Sequence, residues 1–489
     1  MLGIGEKSMH FIIPKDRKQT SIMRPSLDEM IAVDSEIRVL DLLVDQIVSN
    51  NRGKFRYKGN KLVGRRAYRP ETMLKLYLYG YLNRISSCRC LEAECNRNIE
   101  VMWLLGDLRP DFKTIADYRK DNGSQIRFMS KQFRLFLKDQ GYIKGKVIAV
   151  DGTKVKANAS RELLMNQRLK KRLSRMADEM EEYLKKLASN DNDDDESSGS
   201  GHKELVDKII NLEQEITRLK GFQSTMVEKG RDNYSPTDPD ASLMKSRDGI
   251  IPAYNVQSTV DAAYGMIVDL EVVDSPEDHN QLADAVERSE DVLGESSEIV
   301  LADKGYYVPD EIEELEADGQ TECYVPVPKT ARDIRPVTFK YDSVEDEYTC
   351  SQGRRLVLIS RNLKKRSSLA DCYLGKECDG CSLRSQCTTS KTGRYIYRYH
   401  NQEWRDRYRK KMQTGAALAF INQRKTIVEH PFGTLKLWMG KIPILLRGRH
   451  NVGTEMTLYG SVYNLRRLMN LVSFNSLDEM IKGYDWEMA

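Results

Sequence analysis

Apolar residues fall at helical spacing over residues 26–134 and change period near Val147. Ser26-x-x-Glu29 has the form of a capping box. Met30, Ile31, Val33, Ile37, Leu40, Leu43, Val44 and Ile47 follow at helical spacing, which predicts a first helix directly behind it. Pro70 opens a second helix through Met73, Leu74, Leu76, Tyr77 and Tyr81, and Ser86 or Ser87 caps a third. Residues 147–151 read as a strand. Two helical runs follow, one from Leu163 to Leu187 and one from Leu205 to Leu219, separated by the acidic, Gly/Ser-rich stretch NDNDDDESSGSG. They predict an antiparallel helical hairpin, either an interaction arm or a spacer. Strand spacing resumes in IPAYNVQSTVD and MIVDLEVVD, joined as a hairpin at Ala262–Gly265. A helix over about 280–293, the strand SEIVLAD, a helix from Pro309 and the short strand CYVPVP complete the series. This order predicts an α/β fold with a mixed sheet flanked by helices.

At 489 residues the chain has length for about three domains. Its 77 Lys and Arg nearly balance 73 Asp and Glu, so a basic surface has to come from segregation of charge. No apolar run is long enough to cross a membrane, and the N-terminal apolar patch is too short and interrupted for a signal peptide. Nine cysteines, an odd number in a large chain, point to a reducing, cytoplasmic compartment.

Three acids end or punctuate core-like runs: Asp151 in VIAVDGT, Asp303 in VLADKGYY and Glu429 in KTIVEHPFGTLK. Each alone is ordinary. Together, two strand-end carboxylates and one helix carboxylate make a cage for two Mg2+ (or Mn2+) ions in phosphodiester chemistry. Arg52, Lys54, Arg56, Lys58, Lys61, Arg65, Arg66 and Arg69 surround Phe55, Tyr57 and Tyr68, a pattern suited to phosphates and bases; the alternative is a solvated loop with core aromatics. A second basic-aromatic stretch covers residues 395–411 and reads as a DNA grip or as an amphipathic helix. Cys372, Cys378, Cys381 and Cys387 have the number and clustering for one structural Zn2+, with Cys350 as a substitute ligand; the alternative is a reduced Cys-rich loop. His430, beside Glu429, is placed to contact DNA, to act near the metals or to serve structure.

GRRAYRPETMLKLYLYGYL, VDGTKVKANAS, TDPDASLMKSRDG, AYNVQSTVD, ADKGYY, VEHPFGTLKLWMG, LLRG and YNLRRL occur in that order. In this the chain resembles bacterial insertion-sequence transposases of the DDE class, of the type numbered eleven-eighty-two. The resemblance implies a ribonuclease H or integrase-like catalytic domain made of 140–160, 232–328 and 412–473. It also implies a helical DNA-binding module at 26–134, an inserted helical hairpin at 161–231 and a Cys-rich insertion at 329–411, with tails at 1–25 and 474–489. Asp151, Asp303 and Glu429 match the family's metal-binding acids. Lys436 matches the Lys seven residues after the Glu, while Lys425, next to Arg424, stands where related transposases have Arg. The implied partners are double-stranded DNA, as element ends and target, and a second copy of the chain, with action at the bacterial nucleoid. The same acids suit a nuclease that cuts without joining, and a non-enzymatic DNA-binding descendant is the third reading.

Overall fold

The computed structural model describes residues 25–55, 67–159, 164–190, 199–228, 230, 233–246, 249–328, 337–365, 368–439 and 442–487. The capping box forms: Ser26 N donates to Glu29 Oε2 at 2.8 Å and Glu29 N to Ser26 Oγ at 3.3 Å. It closes only a turn. Arg38 captures the carbonyls of Asp28 and Ile31 at 2.9 and 3.1 Å, and Met30 and Val33 are exposed, so no apolar face continues through this stretch. The helix α1 (Glu36–Asn50) begins later, capped by Ser35. Then come α2 (Pro70–Leu82), α3 (Cys88–Arg97), α4 (Ile99–Leu105), α5 (Phe112–Asp121) and α6 (Gly123–Asp139).

The central sheet starts with β1 (Val147–Lys156). A two-stranded ribbon, β2 (Leu164–Met165) and β3 (Asn233–Tyr234), brackets the long helices α7 (Asn166–Asn190) and α8 (Gly199–Glu228). These pack on each other around Leu169, Leu219, Met226 and Tyr234. The sheet continues with β4 (Ser242–Ser246), β5 (Gly249–Asp261) and β6 (Ile267–Val273). After α9 (Leu282–Leu293) come β7 (Ile299–Leu301), α10 (Pro309–Leu315) and β8 (Glu322–Tyr324). Strand order is β4-β5-β1-β7-β8, with β6 also paired to β5. β1 runs antiparallel to β5 and parallel to β7, and β7 parallel to β8, so the sheet is mixed as predicted.

A second, antiparallel sheet is built from β9 (Phe339–Asp342), β10 (Glu347–Cys350), β11 (Arg355–Lys365), β12 (Ser368–Gly375) and, after the short helix α11 (Arg384–Cys387), β13 (Arg394–Tyr399). The chain ends with α12 (Gln402–Lys411), α13 (Gly415–Met439), α14 (Arg449–Leu471) and α15 (Phe474–Gly483). α13 lies across β1, β5, β7 and β8, and α14 packs on β6, α6 and α2.

The N-terminal helices share one continuous core with the central sheet. A buried ion pair crosses it: Arg119 of α5 meets Glu455 of α14 at 3.1 Å, both almost fully buried. Glu455 also accepts from the Leu445 and Leu446 amides, and Arg119 donates to Tyr81 Oη. Such a pair is costly unless its lone pairs and protons are engaged; Arg119 Nε is left without a partner among the described residues, and the pair ties the N-terminal helices to α14.

Candidate active site

β1 and β7 hydrogen-bond in parallel only as far as Ala149 and Leu301. Two residues beyond each partner of that last pair lie Asp151 and Asp303. β7 leaves the sheet there, so both acids arrive side by side where the edge of β1 is released. β1 itself does not end at Asp151 but stays paired with β5 as far as Lys156. The strand-end position predicted for Asp151 is therefore corrected: what ends at this level is the neighbouring strand.

Asp303 caps the turn that follows, its Oδ1 accepting from Gly305 N at 2.7 Å. Asp151 Oδ1 accepts from Arg424 Nη2 of α13 at 2.6 Å, with the two side chains 27% and 14% exposed. Burial pushes the Asp151 carboxyl up to about 6, Arg424 pulls it down, and Asp303 and Asp278 add repulsion that raises it further.

Asp278 is the site residue that spacing did not single out. It sits in the turn between β6 and α9. Its Oδ1 accepts from Gln257 Nε2 at 2.8 Å and Asn255 Nδ2 at 3.0 Å. Gln257 in turn accepts from the buried Tyr306 hydroxyl. Burial and the charges of Asp278, Asp151 and Asp303 hold that phenol well above its ordinary pKa. The motifs AYNVQ and ADKGYY thus converge on one carboxylate. Gly152 makes the approach possible: a Cβ there would lie 2.3 Å from Asp278 Oδ1 and 2.7 Å from Gln257 Nε2.

Glu429 lies on α13 as predicted and is exposed. It is five residues past Arg424, hence about 140° around the helix from the side chain that touches Asp151. Lys425 is exposed beside it. His430 turns to α14, where its Nδ1 lies 2.9 Å from Tyr463 Oη and its Nε2 3.1 Å from Arg467 Nη1. Burial and then Arg467 lower its pKa, so a neutral ring accepting from the guanidinium fits. Lys436 belongs to α13, but its side chain lies outside the described residues.

An open cleft of about 920 Å³ adjoins the acids, lined by Lys154, Asp278, His279, Gly305 and Lys364 among others. The donor set is hard oxygen, which fits Mg2+ or Mn2+. Among the described residues no three acid, His or Cys side chains are gathered at metal-holding distance.

Of the basic loop, Arg52 and Lys54 form an exposed turn, and Arg69 is exposed, 3.7 Å from Glu71. Arg56, Tyr57, Lys58, Lys61, Arg65 and Arg66 lie outside the described residues. Phe55 is a core residue, edge-on to Phe128 at 5.7 Å, and Tyr68 packs on the core and donates to Arg109 O. In the second basic stretch, Arg405 pairs with Asp310 at 3.2 Å and Lys411 with Glu316 at 2.8 Å, while Tyr408 is buried and accepts from Val325 N. Those groups dock α12 on α10 and β8; Arg407, Arg409 and Lys410 are the exposed ones.

Residues 25–121 match a family described as a transposase domain (DUF772), and residues 349–469 match a transposase DDE domain. The second match takes in β11, β12 and β13 of the Cys-rich sheet, α12, α13 with Glu429, and most of α14. No curated protein matches the chain. None of the described helices is long and apolar enough to cross a membrane.

Proposed function

The chain belongs to the insertion-sequence DDE transposases, and we propose that Asp151, Asp303 and Glu429 are its catalytic acids, with Asp278 as a fourth carboxylate of the same site. As a DNA transposase it is a polynucleotidyl transferase acting on DNA. The observation that carries the site assignment is the meeting of Asp151 and Asp303 where β7 leaves β1, with Asp278 held beside them by Asn255 and Gln257.

Asp151, Asp303, Asp278 and Glu429 would hold two divalent ions, Mg2+ or Mn2+, which when bound would supply Lewis-acid activation of an attacking oxygen and charge neutralisation at the leaving one. Asn255 and Gln257 donate to one oxygen of Asp278 and leave the other for a ligand. Arg424 neutralises Asp151 and brings α13, the helix that also carries Glu429, to the site. Lys154 and Lys364 beside the cleft, and Lys436 and Lys425 along α13, are the bases we assign to the DNA backbone near the scissile bond. Arg52, Lys54 and Arg69 with the bases between them bind element ends. His430 supports α13 through α14.

The chain is read as a helical end-binding module, a ribonuclease H-like catalytic unit interrupted by the α7–α8 hairpin, and a Cys-rich sheet that holds one structural Zn2+. Holding two element ends and a target calls for a dimer or larger assembly on DNA at the nucleoid. The test is incubation with labelled element ends and Mg2+, resolving cut from joined products. Asp303→Asn should lose both products and still shift the end DNA in a gel. Joining at the normal rate by Asp303→Asn would sink the assignment; cutting without joining by the wild type would make the chain a nuclease.

A further inference from the structure

We infer that the second sheet carries a tetrahedral zinc site made by Cys350, Cys378, Cys381 and Cys387, and that Cys372 takes no part in it. These four cysteines line one small cavity of about 30 Å³ at the end of the sheet, beside Leu356 and Gly375. Cys372 does not line it.

The exclusion follows from strand geometry. Side chains alternate along a strand. Tyr373 belongs to the small core formed with Tyr348, Leu356 and Ile396, against which Cys350 packs. Its neighbour Cys372 therefore faces the other way, between Ser360 of β11 and Tyr397 of β13. Burial raises its thiol pKa, which suits a small core residue and not a thiolate ligand.

The inclusion follows from the turns. Cys350 ends β10 and opens a tight turn in which Gly353 N donates back to Cys350 O at 2.8 Å, with Gly353 at φ +74°. Cys378 and Cys381 flank a second tight turn with Gly380 at φ +71°. Gly375 ends β12 where a Cβ would press on Leu356 Cγ at 3.1 Å and on Cys378 Sγ at 3.2 Å, so a glycine there admits the Cys378 sulfur. Cys387 is buried at the end of α11. None of these cysteines is in a disulfide.

The sheet also needs a staple. Among the described residues its own core cluster has four buried side chains, and Val344, Val357, Ile359 and Leu369 are exposed. A core of that size is marginal without a cross-link or metal. The sulfurs line the cavity without three of them gathered at ligating distance, and Cys378 Sγ donates instead to Gly375 O at 3.1 Å. Binding rotates the side chains inward on backbones the two turns already bring together, and releases the thiol protons. Four soft thiolates in a tetrahedral site suit zinc.

The full chain, purified under reducing conditions, should contain about one zinc by elemental analysis, with four sulfur neighbours at about 2.3 Å by X-ray absorption. Cys372→Ser should keep that zinc. Cys350→Ser should lose most of it, and Cys350→His should restore it, since imidazole is also a ligand. Should Cys350→Ser not fold, Co2+ exchanged into wild type and Cys372→Ser reads the same point: both should show the thiolate-to-cobalt charge-transfer band of an all-sulfur tetrahedral site. Wild type without zinc, iron in its place, or zinc lost from Cys372→Ser and kept in Cys350→Ser each overturns the assignment. Zinc content is independent of DNA cleavage, so failure here leaves the catalytic reading standing, and the reverse.

Discussion

Asp151 gives the sharpest test of how the site is built, because its charge works against the fold. Its carboxyl is pushed from 3.8 to about 6, first by burial, then by Asp303 and Asp278, with Arg424 opposing. An acid whose pKa is raised on folding contributes its full stability below the unfolded value and loses it as pH rises toward the folded value. The loss therefore develops between about pH 4 and pH 6 and is complete above that; two pKa units correspond to about 3 kcal/mol. Asp151→Asn mimics the neutral acid and escapes the loss. Denaturant unfolding of both proteins in chelator from pH 3.5 to 8 should show similar stability at the acid end. At pH 7.5 the variant should be more stable by an amount approaching that figure. The attraction of Arg424 is already contained in the pKa of about 6, so Arg424→Gln should deepen the wild-type loss. Adding Mg2+ at pH 7.5 should stabilise wild type through mass action and leave Asp151→Asn unmoved. Parallel pH profiles for the two proteins would show that the carboxylate is not under strain and that the three-acid crowding is misread.

Other perturbations follow from the same geometry. Gly152→Ala places a Cβ against Asp278 Oδ1 and Gln257 Nε2, so strand transfer should be lost while the thermal midpoint moves little; normal joining by that variant would mean Asp278 can leave without consequence. Asp278→Asn keeps the acceptor for Asn255 and Gln257 but removes charge, and should weaken Mn2+ binding by about tenfold or more, read as a Mn2+-dependent thermal shift. Glu455→Ala leaves Arg119 buried without its partner and should cost about 3–5 kcal/mol in chemical denaturation, with the N-terminal helices and the central sheet unfolding together; separate transitions would contradict the shared core. Neutralising Arg65, Arg66 and Arg69 should weaken end binding and flatten its salt dependence, because fewer counterions are released; an unchanged slope would place the loop away from DNA.

What the sequence made legible follows from which contacts are local. Asp151 and Asp303 stand out because each interrupts an apolar strand, and β-branched runs announce strands on their own. Asp278 does not, since DSPEDHNQ is an ordinary polar turn and its role depends on partners on β5. A signal was present nonetheless: Asn255 and Gln257 lie two apart in a strand whose residues are almost all buried, and two inward-facing amides demand a buried partner. Ser26 and Glu29 formed their local pair, yet the helix waited for α1, because capping cannot sustain a helix without an apolar face to bury. Phe55 shows the converse, an aromatic among bases whose ring is held by Phe128. Spacing alone groups Cys372 with its neighbours; the inferred exchange for Cys350 rests on strand alternation, since one residue along a strand reverses the face. Gly152 joins these cases. In sequence it is a plain glycine after an acid; in the fold it is the one position on β1 where a side chain would collide with the carboxylate that Asn255 and Gln257 hold. Its small size is thus a requirement of Asp278 and not of β1, which is why no strand propensity could have explained it.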